Sequence, residues 1–408
     1  MALTVNQSPV EITPAFNPQT FEVTSTNVAN SGFLYVVVAE DTLTSQSQTY
    51  RIKQAPAAPF ELKWDGYNFS RKFVKHYVPT AAGWQVCTDG FRKIEVEFKE
   101  YYGSTLHPMS PPEITNYYVW NGVERTLDWV DYDVNDYLYK DGLSANHVTL
   151  NQFTRQKTYE DSSLFLYFLA TPDFANFSGI NGIEIKTYDS NGTLLGTSTI
   201  ANSYATSVNY YERYNCIDIG HKGLTNILAG DVVGTYPIIT DQVAYYEIRD
   251  NGGLTADLYL TVDIECEPKH DVFTLHYVGK TGAFETIHMS KVSLHTERAE
   301  KTYYRQNPYT LSSNTWSYSK FASHQKVSSS TGTESFVLNS DWLTEEEIEI
   351  HRQLITSPLV YWDRGATIGL IPVRVNTETA TINKSWNSKL YGMTIEMELT
   401  AKNNYQHG

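Results

Sequence analysis

The sequence predicts an all-β protein, built from two or three consecutive β-sandwich-like domains with one short helix near the C-terminus. Short runs of alternating apolar and polar residues recur roughly every ten residues, bounded by Gly, Pro, Asn or Asp, which is typical of sandwiches. Aromatic residues make up 13% of the 408 residues, and 30 residues are tyrosines, which favour strands. With 19% charged residues, the composition is that of an ordered globular chain.

The first hundred residues are predicted to hold an arm and then a sandwich. Pro9, Pro14 and Pro18 lie among polar neighbours, so we expect residues 1–20 to form an extended N-terminal arm that buries little. Residues 21–102 are expected to form the first sandwich. Its predicted strands are 21–24, 33–39, 49–52, 60–64, 72–78 and 94–98.

Residues 103–156 are predicted to form a hairpin and a long connection. Prolines at 108, 111 and 112 interrupt the pattern. Residues 117–120 and 125–129 flank Asn121-Gly122, a dipeptide that favours a tight hairpin turn. Because long ordered loops usually have a function, we expect this connection and the arm to contact neighbouring proteins.

Two further domains are predicted after this connection. Residues 157–268 read as a second sandwich, with predicted strands at 164–169, 183–188, 193–200, 208–219, 243–248 and 258–264. Pro268 is a suitable hinge. Residues 269–408 are expected to form a β-rich C-terminal domain that contains the helix.

That helix is predicted over residues 345–356. Thr344 and Glu347 have the spacing of a capping box, in which each side chain satisfies a backbone N–H of the other residue. Pro358 ends the helix, because proline disfavours a helical residue before it. Leu343, one residue before the cap, is expected to pack against Ile348 as a hydrophobic staple.

Charge and cysteine content exclude several classes of protein. The net charge is −15, from 31 basic and 46 acidic residues, which disfavours stable nucleic-acid binding. Cys87, Cys216 and Cys266 are far apart and form no CxxC motif, so we expect free buried thiols rather than disulfides or zinc ligands. We expect no signal peptide, and no apolar run is long enough to predict a membrane span.

One acidic stretch begins like a calcium loop. An EF-hand needs glycine at position six and glutamate at position twelve, but those positions hold Asp136 and Gly142. A looser calcium site made by Asp131, Asp133, Asp136 and Asp141 stays open. A solvated acidic loop is the favoured interpretation.

No other pattern points to catalysis. His270, His276, His288 and His295 lie near no cysteine and form no HExxH motif, which disfavours a zinc site. The nucleophile elbow and the phosphate-binding loop are both absent from the sequence. A carboxylate pair for glycoside hydrolysis stays open, because separation in space is invisible here. We therefore predict no enzyme, no catalytic residue, no cofactor-binding residue and no metal ligand.

The C-terminal third resembles a known group of proteins. The ordered segments are Leu-Asn-Ser-Asp-Trp-Leu-Thr-Glu-Glu-Glu (338–347), Ser-Pro-Leu-Val-Tyr (357–361), Leu-Ile-Pro-Val (370–373) and Lys-Leu-Tyr-Gly-Met-Thr-Ile-Glu-Met-Glu-Leu (389–399). They resemble virion structural proteins of tailed phages that infect Bacteroides-type bacteria, including crAss-like phages. Residues 183–192, 243–248 and 273–284 are similar too, so the resemblance covers most of the chain from about Tyr102 onward.

The resemblance implies a non-enzymatic tail, neck or baseplate protein. Such a protein would form an oligomeric ring or hub layer with copies of itself and with other phage proteins. It would be located in the virion tail, and in the host cytoplasm during assembly. The alternative is a receptor- or glycan-binding module, in which Trp120, Trp129, Trp316 or Trp362 would stack on a host surface sugar.

Overall fold

A computed structural model gives the fold of the chain. It describes residues 3–55, 61–108, 114–124, 128–139, 148–171, 179–207, 209–251, 257–265, 268–318, 324–377, 381–384, 391–401 and 403–404. The chain divides into two compact units. Unit 1 holds residues 1–266 and 278–286, and unit 2 holds residues 267–277 and 287–408.

Unit 1 is built almost entirely of strands. In chain order they are β1 (Leu3–Gln7), β2 (Ile12–Pro14), β3 (Thr20–Ser25), β4 (Leu34–Asp41), β5 (Gln46–Ile52), β6 (Leu62–Asp65), β7 (Trp84–Val86), β8 (Phe91–Tyr102), β9 (Thr105–Pro108), β10 (Ile114–Trp120), β11 (Leu138–Tyr139), β12 (Arg155–Tyr159), β13 (Phe165–Ala170), β14 (Gly182–Tyr188), β15 (Leu194–Ala201), β16 (Tyr214–Asp218), β17 (Val232–Gly234), β18 (Tyr245–Asp250) and β19 (Leu258–Glu265). Its helices are α1 (Tyr67–Ser70) and α2 (His221–Asn226), and 3-10 turns lie at Thr88–Gly90, Asp128–Asp131, Val134–Asp136, Tyr210–Arg213 and Ala229–Asp231.

These strands form four sheets. Two lie in the first part of the unit, with orders β1-β3-β6 and β2-β10-β8-β4-β5, and β9 pairs with β8. The other two have orders β11-β13-β16-β7 and β12-β19-β18-β14-β15-β17. The first two sheets share one apolar core, in which Phe21 of β3 lies 5.4 Å from Phe98 of β8, ring centre to ring centre. Strand β8 alternates buried and half-buried residues along most of its length, as a strand with one face on a core should.

The prediction of a free N-terminal arm at 1–20 is wrong. Strand β1 pairs with β3, β2 pairs in parallel with β10, and Leu3 and Ile12 are buried. Pro14 is tolerated in β2 because that strand is at the edge of its sheet, where a missing N–H leaves no ladder bond unmade.

Two other local predictions in unit 1 are also wrong. Strand β10 pairs with β8 and β2 rather than with residues 125–129, and Asp128–Asp131 is a 3-10 turn. Residues 125–127 lie outside the described residues. The predicted strand at 72–78 is instead irregular, because Lys72 and Phe73 close turns on the carbonyls of Phe69 and Ser70. The division of unit 1 into domains at 21–102 and 157–268 stays a prediction.

Unit 2 holds most of one large sheet and the C-terminal helical segment. Val278 and residues 284–286, at the ends of the first two strands of that sheet, are counted in unit 1. Its strands are β20 (Phe273–Val278), β21 (Phe284–Met289), β22 (Leu294–Arg305), β23 (Tyr309–Ser312), β24 (Thr315–Tyr318), β25 (Gln325–Asn339), β26 (Val360–Asp363), β27 (Leu370–Val375), β28 (Thr381–Lys384), β29 (Tyr391–Leu399) and β30 (Asn403–Asn404). The helices are α3 (Glu345–His351), α4 (Gln353–Thr356) and α5 (Gly365–Ile368). The sheet order is β21-β20-β26-β27-β29-β25-β22, with β28 on β29 and β30 on β25, while β23 and β24 pair only with each other among the described strands.

The predicted all-β fold and the helix near the C-terminus are both confirmed. The backbone N–H of Glu347 donates to Thr344 Oγ1 at 3.2 Å, and the N–H of Thr344 donates to Glu347 Oε2 at 2.7 Å. Both bonds of the capping box are therefore present. Leu343 and Ile348 are buried in the same apolar cluster, which also contains Met393 and Ile395 of β29.

Candidate functional site

The most exposed part of unit 2 is a long two-stranded ribbon, formed by β22 and β25. The pairing runs from Leu294 opposite Val337 to Arg305 opposite Gln325, and all 12 residues of β22 are exposed. Strand β29 supports β25 only as far out as Ser335, and β30 adds two pairs that end at Thr331. Beyond that point, the only strand paired with β25 among the described residues is β22. A two-stranded ribbon is marginally stable in water, so this region would gain stability from a partner.

A second, smaller hairpin joins the two strands of the ribbon. Strand β23 pairs with β24, and the two residues between them, Ser313 and Asn314, have φ values of 51° and 60°. Positive φ at both positions is what a type I′ hairpin turn requires, and asparagine tolerates it well. The sequence thus closes this hairpin by local turn chemistry, and we call it the terminal hairpin.

Large apolar side chains are concentrated on the ribbon and the terminal hairpin. Trp316 is 65% exposed, although tryptophan is usually buried. Others between 46% and 56% exposed are Tyr303, Tyr304, Tyr309, Leu311 and Tyr318. Exposed aromatic side chains grouped in one place mark surfaces that bind other molecules.

Charge is unevenly distributed along the ribbon. Residues 301–333 contain four Lys or Arg and no Asp or Glu, in a chain whose net charge is −15. At the base of the ribbon, Glu297 lies directly opposite Glu334. His295 Nε2 lies 3.3 Å from Glu334 Oε2, whereas Glu297 makes no ion pair with any residue that the structure describes. Like charges directly opposite one another destabilise a strand pair.

The four tryptophans proposed for sugar stacking have different environments. Trp120 is fully buried and its Nε1 donates to the Thr281 carbonyl at 3.3 Å. Trp362 is buried in the core of unit 2, and Trp129 is half-buried against Tyr132. Only Trp316 of these four offers an open ring face.

Neither the acidic loop nor the late histidines form a metal-binding group within the described residues. No three His, Cys, Asp or Glu side chains among them are grouped so that they could hold a metal ion. His276 is buried 3.7 Å from Asp363, His288 is hydrogen-bonded to Thr274, and His295 is on the ribbon. Asp141 of the acidic loop lies outside the described residues.

Two cysteines that are distant in sequence come together in the fold. The N–H of Cys87 donates to the carbonyl of Tyr214 at 2.8 Å, beside the pairing of β7 with β16, the strand that carries Cys216. Both are buried and free, as predicted for these two, and burial raises the pKa of the Cys87 thiol well above its usual value. Cys266 lies outside the described residues. The proximity of Cys87 and Cys216 could not be predicted from the sequence, because no local pattern relates residues that are 129 positions apart.

A short segment of unit 1 is held by unusually many side chains. We call residues 278–286 the buried turn. Its carbonyls accept hydrogen bonds from several groups of unit 1, and the donors are Val123 N (to Lys280), Trp120 Nε1 (to Thr281), Tyr214 Oη (to Gly282), Asn151 Nδ2 (to Phe284) and Gln156 Nε2 (to Thr286). Gly282 has φ +82°, and a Cβ there would lie 2.0 Å from the Asn121 carbonyl oxygen. The turn can therefore hold only glycine at this position.

Glu285 is the acidic group of the buried turn. It is 1% exposed, and its carboxylate accepts hydrogen bonds from Gln152 N at 3.0 Å and Asn151 Nδ2 at 3.3 Å. Burial raises the pKa of this carboxyl from 4.5 to about 7, although the two hydrogen bonds lower it somewhat. A carboxyl in this environment holds its proton at mildly acid pH and carries a charge at alkaline pH.

One hollow of about 460 Å³ opens on unit 1. Glu160, His221 and Asp241 are on its wall, and Nδ1 of His221 is buried without a hydrogen-bond partner among the described residues. The two carboxylates are exposed to solvent, and the lining includes no serine or cysteine that His221 can activate.

Comparisons with known proteins give no family. No family model matches the chain, and no curated protein matches it. Among solved structures, the chain is similar to one in the tail of an empty gene transfer agent particle, resolved by helical refinement with C6 symmetry. That match has 13% identity and a TM-score of 0.20, and it covers 33% of this chain and 96% of the other. A chain in the virion of a native gene transfer agent particle matches with 14% identity and a TM-score of 0.20, over 33% of this chain and 95% of that one.

Among the described residues, no helix is long and apolar enough to cross a membrane.

The sequence did not indicate the ribbon. Strand β22 is exposed on both faces and lacks the alternation of apolar and polar residues that identifies a strand packed on a core. A usable signal does exist: two long runs rich in Thr, Tyr, Ser and Val flank a short hairpin with Ser313-Asn314 at its turn.

Proposed function

We propose that this chain is a non-enzymatic structural protein of a phage virion. It builds an oligomeric ring or hub layer of the tail, neck or baseplate through protein–protein contacts. The observation that carries the proposal is the ribbon, with every residue of β22 exposed and aromatic side chains collected on its outer part. Its partners are copies of itself and other proteins of the particle.

The ribbon has the features of an assembly surface. An exposed edge strand presents unpaired N–H and C=O groups, which are a template for pairing with another chain. β22 is the outermost strand of the described sheet, so its free edge is available along all 12 residues. A contact between this edge and a different surface of the next copy is heterologous, and repeated heterologous contacts close into rings or extend as filaments.

The sequence supports the same proposal independently. The described parts of the segments within 338–399 that resemble phage virion proteins include the end of β25, the start of α3, and parts of strands β26, β27 and β29. Strand β29 pairs with β25 and so fixes the direction in which the ribbon leaves the sheet. A protein of this kind needs no catalytic group, and its location would be the virion tail.

The test is the mass and shape of the purified full-length chain. Light scattering over a range of concentrations, with negative-stain imaging of the same samples, should show closed rings or short stacks of rings. A monomer at every concentration, together with no incorporation into phage tails, would refute the assembly role.

One observation favours a second candidate function, glycan binding by a tail module. Trp316 is 65% exposed, and Tyr309 and Tyr318 lie beside each other on the same hairpin with ring centres 5.4 Å apart. Exposed aromatic rings can stack on sugar faces. A thermal-shift screen with host surface sugars tests this, because a ligand that binds the folded state raises the melting temperature.

A further inference from the structure

We infer that the ribbon's partner is a second copy of this chain, and that the contact runs head to tail. The basic outer half of one ribbon (residues 301–333) docks on the acidic base of the next (residues 294–300 and 334–339). The inference rests on the proposed function and adds the identity of the partner and the location of the contact.

Basic and acidic residues are separated along the ribbon. The described residues of the outer half, 301–318 and 324–333, include Lys301, Arg305 and Lys326 and no carboxylate. The base holds three carboxylates, at 297, 300 and 334, and one arginine, at 298. Such polarity is what a head-to-tail contact needs, because complementary charges select the partner and set the register.

Two like charges face each other at the base of the ribbon. Glu297 and Glu334 are paired residues on adjacent strands. His295 is close to Glu334, but Glu297 is exposed and has no ion pair among the described residues. A cationic side chain from a second molecule would relieve this repulsion, and Arg305 and Lys326 are exposed and able to supply it.

The two cationic residues at the far end of the outer half, Arg305 and Lys326, are too distant to neutralise Glu297 within one copy. Glu297 and Arg305 are eight positions apart on β22, which is about 26 Å along a strand. Exposed charges at that distance are screened, since the Debye length is about 8 Å at physiological ionic strength. The attraction is therefore available only between molecules.

A second copy fits the outer half better than a nucleic acid does. The outer half is a small basic region in a chain whose net charge is −15, so a polyanion would be repelled by most of the surface it approached. A protein surface of limited area can meet the basic region alone. The base of the ribbon is such a surface, and it is present on every copy.

Charge-swap variants test the inference. The outer variant carries Arg305→Glu with Lys326→Glu, and the base variant carries Glu297→Lys with Glu334→Lys. Association of the full-length chain is measured by sedimentation velocity at about 50 mM and about 500 mM salt. Each variant alone should associate at least about tenfold more weakly than the wild type at low salt, because like charges then meet across the contact.

Rescue is the decisive result. An equal mixture of the outer and base variants should associate again, since the acidic outer half of one then meets the basic base of the other. A chain carrying all four substitutions should also associate alone. Melting curves check that every variant is folded. The four residues lie on the ribbon and not in the apolar core of unit 2, so little change is expected.

Four results would overturn the inference. Loss of association in the outer variant without rescue by the base variant would place the acidic partner surface elsewhere. Normal association of both charge variants, with loss in a chain whose ribbon is shortened, would reject the charge contact and leave the proposed function standing. Tight binding of labelled double-stranded DNA by the wild type, lost in the outer variant while association persists, would assign the basic half to nucleic acid instead. Normal association of the shortened chain would reject the proposed function as well.

Discussion

The buried turn and the ribbon both belong to hairpins. The backbone carbonyls of the first are hydrogen-bonded within the chain, whereas the free strand edge of the second is exposed. In the buried turn, five carbonyls accept hydrogen bonds from unit 1, and residues 283–286 are almost completely buried. In the ribbon, the free edge of β22 and the aromatic side chains of the terminal hairpin face solvent. The first hairpin is completed by its own chain, whereas the proposed function has the second completed by another molecule.

The difference predicts where substitutions affect folding and where they affect assembly. Buried, fully hydrogen-bonded backbone responds to any added atom, because packed interiors have little room to adjust. An exposed ribbon tolerates side-chain changes with little effect on the free energy of unfolding. The following substitutions are ordered by the effect expected on that free energy.

Gly282→Ala should have the largest effect. The new Cβ would lie 2.0 Å from the Asn121 carbonyl oxygen, at a residue whose φ is +82°. We expect a loss of about 3 kcal/mol in unfolding free energy, measured by urea denaturation, from steric overlap plus left-handed strain. Gly103→Ala is the matched control, because Gly103 has φ +57° and nothing within 4 Å of the added atom. That control should lose only about 1 kcal/mol, and equal losses would show that the turn can shift.

Leu343→Asp should destabilise the base of the ribbon by about 3 kcal/mol. Leu343 is 9% exposed in the apolar cluster of unit 2, and its backbone exchanges two hydrogen bonds with Tyr391 of β29. A carboxylate there would be buried without a partner. Trp342→Asp is the control, because Trp342 is 57% exposed. Equal melting temperatures for Leu343→Asp and the wild type would refute the staple.

Glu285→Gln should change how stability depends on pH. The pKa of Glu285 is raised to about 7 in the folded state, above its ordinary value of 4.5. The folded chain therefore keeps a proton that the unfolded chain releases. This contribution to stability is fully present below pH 4.5 and is lost as the pH rises through 7. The gap between the two values corresponds to about 3 kcal/mol.

The measurement for this prediction is urea denaturation at several pH values between about 5 and about 9. The Glu285→Gln variant should become more stable than the wild type as the pH rises, because it has no charge to bury. Glu265→Gln, at an exposed residue of β19, is the control and should follow the wild type. Curves that stay parallel for Glu285→Gln and the wild type would mean that this carboxyl does not titrate in the range.

Trp316→Ser with Tyr318→Ser should have the smallest effect on folding, below about 0.5 kcal/mol. Both side chains are largely exposed on the terminal hairpin. The same variant should associate much more weakly than the wild type in sedimentation velocity, since exposed aromatic residues carry much of the energy of protein contacts. A marked drop in melting temperature with normal association would reverse the roles given to the two hairpins.

The sequence was informative where one physical signal acts locally. The capping box at Thr344 and Glu347 and the alternation in β8 and β29 were readable because each depends on near neighbours. The pairing of residues 3–14 with β3 and β10 was not readable, since it joins segments up to about a hundred residues apart. The sequence predicts a hairpin near residues 280–282, but the burial of its turn was missed for the same reason. The hydrogen-bond donors to this turn lie between Trp120 and Tyr214, and no local sequence pattern predicts them.

We infer that the ribbon joins copies of this chain. The direct test replaces residues 303–328 with an Asn-Gly turn, which closes the ribbon between the paired residues Thr302 and Ser329. The shortened and full-length chains are then compared by sedimentation velocity, with melting curves for both. The account predicts that the shortened chain melts like the wild type and stays monomeric at concentrations where the full chain forms large particles. Particles of unchanged mass from the shortened chain would contradict it.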